Sequence, residues 1–86
     1  SERAMTASGL RALGLEPLPS TANFLLLDLG SPERALAFNA ALLRRGVIVR
    51  PTRAFGAPAC VRVTIGLPEE NARFLGAAAE ALDEIR

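Results

Sequence analysis

Histidine, lysine, tyrosine and tryptophan are absent from this 86-residue chain, cysteine occurs once, and all ten basic residues are arginine. Each absence removes a class of chemistry. Without lysine the chain cannot form a Schiff base with an aldehyde cofactor or a carbonyl substrate. Without histidine, and with Cys60 alone, it can build neither a zinc site nor a Ser-His or Cys-His pair. An internal disulfide is impossible, and a lone thiol suits a reducing, cytoplasmic setting. No apolar run approaches the roughly 20 residues that span a bilayer, and no signal peptide is visible. A net charge of +1 makes no electrostatic case for nucleic acid or a membrane surface. Taken alone, the polypeptide is expected to have no enzymatic activity and to hold no metal.

What is present is a small, apolar domain: half of the residues are hydrophobic, many of them Ala and Leu, which argues against disorder. The organising stretch is 60–71. Val61, Val63 and Ile65 alternate with Arg62 and Thr64, so a strand there has one apolar face and one face carrying a guanidinium and a hydroxyl. Gly66 permits a sharp change of direction. Pro68 suits the first position of a helix, and Glu69 and Glu70 suit the positive end of its dipole. An arginine held on a rigid strand is a common way to grip a carboxylate or phosphate.

The remaining pattern predicts the order helix, strand, helix, strand, strand, helix. Residues 2–13 form a loose stripe of Met5, Gly9, Leu10, Ala12 and Leu13, stopped by Gly14. Residues 15–20, with two prolines, read as extended chain. The run 22–29 reads as a strand apolar enough to be buried on both faces, with Asn23 making a turn or strand-edge hydrogen bond at its entry. Ser31 and Pro32 open a helix to residue 45, with Ala35, Leu36, Phe38, Leu42 and Leu43 as its apolar face. Arg44 and Arg45 read as solvated charges at its negative end. A short strand over 47–50 ends at Pro51, a loop covers 51–59, and a last helix over 68–85 places Phe74, Leu75, Ala78, Leu82 and Ile85 on one stripe. Cys60 reads as a small buried filler. The expected fold is α+β: a three-stranded, mainly antiparallel sheet with the 60–65 strand in the middle and helices on one side. The helical pattern starts almost at once, which suggests a cut within a longer protein.

Several of these residues resemble a known family. Gly46-Val47-Ile48-Val49-Arg50-Pro51, Phe55-Gly56, Val61-Arg62-Val63-Thr64-Ile65-Gly66 and Pro68-Glu69-Glu70-Asn71 are similar to the C-terminal small domain of the histidinol-phosphate aminotransferases. These are fold-type I enzymes that depend on pyridoxal phosphate. The Pro19-Ser20-Thr21-Ala22-Asn23-Phe24 entry to the first strand is similar as well. The resemblance runs from about residue 9 to residue 85. It implies that residues 1–86 are one domain that closes over the cofactor of a larger, homodimeric transaminase of histidine biosynthesis. That enzyme would move an amino group between histidinol phosphate and 2-oxoglutarate or glutamate. Arg62 matches the arginine that holds the substrate's acidic group, and Arg50 matches a second arginine used on the phosphate. The cofactor lysine of such enzymes lies in the large domain, so no cofactor-binding or catalytic residue is expected here. Leu67 departs from the pattern, standing where the family usually has Thr or another capping residue. Arg53 has no role that the resemblance supplies. Other branches share the motif, aromatic aminotransferases and a threonine-phosphate decarboxylase among them. A reading from a different class is a free-standing, ferredoxin-like module that binds a small anion through Arg50 and Arg62.

Overall fold

The computed structural model describes residues 1–18, 23–52 and 56–86. The entry motif at 19–22, Arg53 and Phe55 lie outside the described residues. The elements are α1 (Glu2–Ala12), β1 (Glu16–Leu18), β2 (Phe24–Asp28), α2 (Pro32–Arg44), β3 (Arg50–Pro51), β4 (Cys60–Thr64) and α3 (Pro68–Ile85). The strands form one antiparallel sheet in the order β1-β2-β4-β3.

The fold is α+β as expected, with β4 between β2 and β3, but the sheet has four strands and not three. The additional strand is the proline-containing stretch after α1. Pro17 sits opposite Leu27 in β1, and Pro51 sits opposite Val61 in β3. Both outer strands thus carry a residue that cannot donate a ladder hydrogen bond, which is where proline is tolerated and where it discourages further strand addition. The expected strand over 47–50 shrinks to Arg50–Pro51. Val47 must first complete the end of α2, which uses its backbone N–H.

The two shorter helices end in the same way, and the sequence dictates it. Leu15 N–H reaches Leu10 C=O and Gly14 N–H reaches Arg11 C=O. Val47 N–H reaches Leu42 C=O and Gly46 N–H reaches Leu43 C=O. These are Schellman closures with glycine at φ +87° and +76°, conformations that a Cβ disfavours. The helix starts differ. Ser1 and Ser31 accept from the N–H groups of Ala4 and Arg34. Leu67, at the start of α3, has no acceptor, and only Glu70 closes back onto the Leu67 N–H at 2.8 Å. Leu67→Thr would complete the reciprocal pair and should stabilise the chain by about 1 kcal/mol. A urea titration followed by far-UV circular dichroism would read this as a higher midpoint at unchanged slope. Gly66, just before, has an ordinary φ. Its small size matters because a Cβ there would lie 2.5 Å from Oε1 of that same Glu70.

The helices pack on one face of the sheet. Leu25 and Leu27 of β2 and Val61 and Val63 of β4 meet Leu10, Phe38, Leu42, Ala78 and Leu82 in one core. Gly9 lets α1 approach α3 closely; a Cβ there would meet Leu75 Cδ1 at 2.9 Å. Four expected apolar positions are instead exposed: Met5, Ala12, Leu36 and Leu43. The apolar residues of α1 and α2 outnumber the places on the faces that point inward, and Thr6, Ala7 and Ala41 take those places. Arg44 and Arg45 are also more engaged than solvated charges. Arg44 pairs with Glu84, and Arg45 with Glu80 at 3.2 Å and Glu84 at 2.8 Å, tying the end of α2 to α3.

β2 is not buried on both faces. Leu25 and Leu27 are buried while Phe24 and Leu26 are only half-buried. The second apolar row of β2 therefore lies on the sheet face away from the helices, and that is the face carrying Arg62.

Candidate functional site

Three strands build the site. Arg62 lies at the middle of β4, with Leu26 of β2 directly opposite on one side and Arg50 of β3 directly opposite on the other. Residues paired across an antiparallel ladder project from the same face, with Cα atoms about 5 Å apart. The two arginines predicted from sequence are therefore brought together, as immediate cross-strand neighbours. Two like charges in that relation destabilise a sheet unless an anion lies between them. Among the described residues neither Arg50 nor Arg62 forms a salt bridge, whereas Arg44, Arg45 and Arg86 all do.

Arg62 has another partner. Its guanidinium carbon lies 5.5 Å from the centroid of the Phe24 ring, within cation–π range. Phe24 is in register with Thr64, two residues beyond Arg62; the contact is thus a diagonal one across the strand pair, reachable by an aromatic and a long side chain.

Phe24, Leu26, Arg50, Thr52, Ala57 and Arg62 line a single open depression of about 230 Å³. Sequence reasoning found its two charges and missed its walls. Thr52 is buried and fixes the rim. Its hydroxyl lies 2.6 Å from Ala57 C=O and 3.0 Å from Cys60 C=O, and can donate to either. Backbone bonds from Thr52 N–H to Cys60 C=O and from Ala57 N–H to Thr52 C=O close the same loop. The result is a cup with an apolar floor and two guanidinium groups, suited to an anion on an organic stem.

Cys60 is buried as expected, opposite Asp28 on β2. Burial, and secondarily the Asp28 carboxylate, push its thiol pKa up, so the unreactive neutral form dominates near neutral pH. Asn23 acts at the strand entry through its backbone, its carbonyl accepting from Ile65 N–H at 2.8 Å. Among the described residues no helix is long and apolar enough to cross a membrane.

Known proteins share the sequence pattern and the fold of this chain. The family model "Aminotransferase class I and II" matches residues 1–78. A histidinol-phosphate aminotransferase of Symbiobacterium thermophilum is 49% identical over 95% of this chain and 24% of its own length. A second, from Pseudomonas fluorescens, is 53% identical over 87% of this chain and 20% of its own length. The chain thus spans about a quarter of the length of the curated relatives that it matches. Among solved structures, the histidinol-phosphate aminotransferase of Sinorhizobium meliloti, in complex with pyridoxal-5'-phosphate, shares the fold. Its TM-score is 0.90 at 24% identity, over 99% of this chain and 24% of that one. A mutant of Thermus thermophilus aspartate aminotransferase follows at TM-score 0.70 and 34% identity, over 99% of this chain and 23% of that one. The cross-strand arginine pair therefore sits in a chain that belongs to the class I and II aminotransferase family.

Proposed function

We propose that these 86 residues are the C-terminal small domain of a pyridoxal-phosphate-dependent aminotransferase that exchanges an amino group between histidinol phosphate and 2-oxoglutarate or glutamate. The parent would be a cytoplasmic homodimer, with this domain docked on its large domain. The observation that carries the reading is the Arg50–Arg62 pair, with no carboxylate partner among the described residues. A phosphate monoester, with close to two negative charges, offsets both guanidinium charges and matches their fork geometry. The names of the relatives support the same substrate.

The chain does not fit the cofactor itself. It has no lysine for the aldehyde. What they do is bind and orient. Arg62 and Arg50 would hold the substrate's phosphate, while Phe24, Leu26 and Ala57 would keep water from the stem beside it. Binding energy gathered at such a remote group positions the amine for reaction elsewhere in the enzyme.

The test is substrate preference in the full-length gene product, assayed with 2-oxoglutarate as acceptor. Histidinol phosphate should be the preferred amino donor over aromatic amino acids. Turnover of an aromatic amino acid with none of the phosphorylated donor would move the chain to another branch of the family.

A further inference from the structure

A guanidinium can be fixed in place by a carboxylate, but that partner would also cancel the charge an incoming anion needs. An aromatic face avoids the conflict, because it offers a plane and a negative quadrupole without net charge. Arg62 has such a partner in Phe24 and, among the described residues, no carboxylate. Its in-register neighbours are Leu26, which supplies no polar anchor, and Arg50, which repels it. A long side chain in that setting would otherwise swing away from Arg50 towards water. The half-buried Phe24 ring, held on the central strand β2, counters this. The ring and the guanidinium line the same cup.

We infer that Phe24 is a positioning residue for the anion site: its ring holds the Arg62 guanidinium in place beside Arg50 while leaving the charge free for an oxyanion carried on an organic stem. The inference rests on the phosphate-binding reading above and deepens it. The ring touches the arginine and not the reacting atoms, so its loss should act on binding. The expected consequence is a raised KM for the phosphorylated donor with kcat little changed.

The experiment compares Phe24→Leu, Phe24→Tyr and Arg62→Ala in the full-length gene product, each with histidinol phosphate and with the dephosphorylated alcohol as amino donor. Phe24→Leu should raise KM for the phosphorylated donor by about 5- to 20-fold, the range expected for loss of a partly desolvated cation–π contact. kcat should stay within about twofold, and KM for the dephosphorylated donor, which keeps the stem that Phe24 lines but lacks the anion, should rise far less than KM for the phosphorylated one. Phe24→Tyr keeps the π face and should restore KM. A merely structural role would harm both donors alike and would not be rescued selectively. If Arg62→Ala raises KM for the phosphorylated donor and Phe24→Leu does not, the positioning role is overturned and the phosphate site stands. If Arg62→Ala itself leaves both donors unchanged, the phosphate site falls, and this inference with it. Should Phe24→Leu fail to fold, Phe24→Met fills a similar volume and gives the same comparison.

Discussion

Arg62→Ala in the full-length enzyme should lower kcat/KM for the phosphorylated donor by about 30- to 1,000-fold, equivalent to roughly 2–4 kcal/mol of lost charge-assisted, two-pronged hydrogen bonding. Arg50→Ala should cost less. Arg62 is half-buried on a strand paired on both sides, so its backbone is fixed and its charge is poorly screened. Arg50 is exposed on a two-residue edge strand, where water competes. Arg62→Lys should recover little, since an ammonium is a point charge and cannot reproduce the fork. Stability should move the other way. Removing one of two facing guanidinium groups relieves repulsion, so the melting temperature of Arg62→Ala should hold or rise. Steady-state kinetics and a thermal scan on the same preparation decide it. An unchanged kcat/KM would take Arg62 out of the site, and a collapse in stability would make it a structural residue.

The helices were legible because their signals are local. Ser31, Pro32 and the glycine stops act on the nearest turn of backbone, so the boundaries Glu2–Ala12, Pro32–Arg44 and Pro68–Ile85 follow from the residues that form them. The outer strands were legible only in part. The pattern marks an edge strand over 47–50 but ends it at Pro51, and the prolines of 15–20 argue against a strand there altogether; the sheet order puts Pro17 and Pro51 both on edges, where the lost donor costs little.

β2 shows a second limit. Five residues reading Phe-Leu-Leu-Leu-Asp carry no alternation in hydropathy, so nothing local says that Leu25 and Leu27 face the helices while Phe24 and Leu26 face the site. The covering of one face only is a property of the assembled layers. The arginine pair lies between these extremes. Arg62 announces itself by alternation in β4, but its proximity to Arg50 depends on the ladder register between β3 and β4. Resemblance supplied the pairing there, and the cross-strand geometry gives it a physical cause. Thr52 carried no signal at all, because its hydroxyl acts on the carbonyls of Ala57 and Cys60, set by how the loop closes.

Asn71→Leu should destabilise the chain by about 2–3 kcal/mol, the cost of leaving buried hydrogen-bonding groups without partners. Asn71 is buried, and its amide is fully committed. Oδ1 accepts from Gly66 N–H at 2.9 Å, while Nδ2 donates to Gly66 C=O at 3.0 Å and to Glu2 Oε1 at 2.8 Å. One side chain thus clasps both polar groups of the residue between β4 and α3, and fastens the start of α1 to the start of α3. Leucine keeps the branched skeleton of the side chain and none of the three bonds. Gly66 is exposed, so water repairs part of the loss, and the total cost stays below the sum of separate penalties. The two functions of the amide can be separated. Glu2→Ala removes only the link to α1 and should cost about 1 kcal/mol, as for one hydrogen bond to a charged but partly solvated group. Asn71→Leu in the Glu2→Ala background should then cost correspondingly less than in the wild type. The readout has to be far-UV circular dichroism in urea, since the chain has neither Trp nor Tyr to report by fluorescence. Additive losses would mean that the Glu2 contact contributes nothing. A loss under about 0.5 kcal/mol for Asn71→Leu, the level of an ordinary surface change, would mean that the β4–α3 turn holds its shape without the clasp.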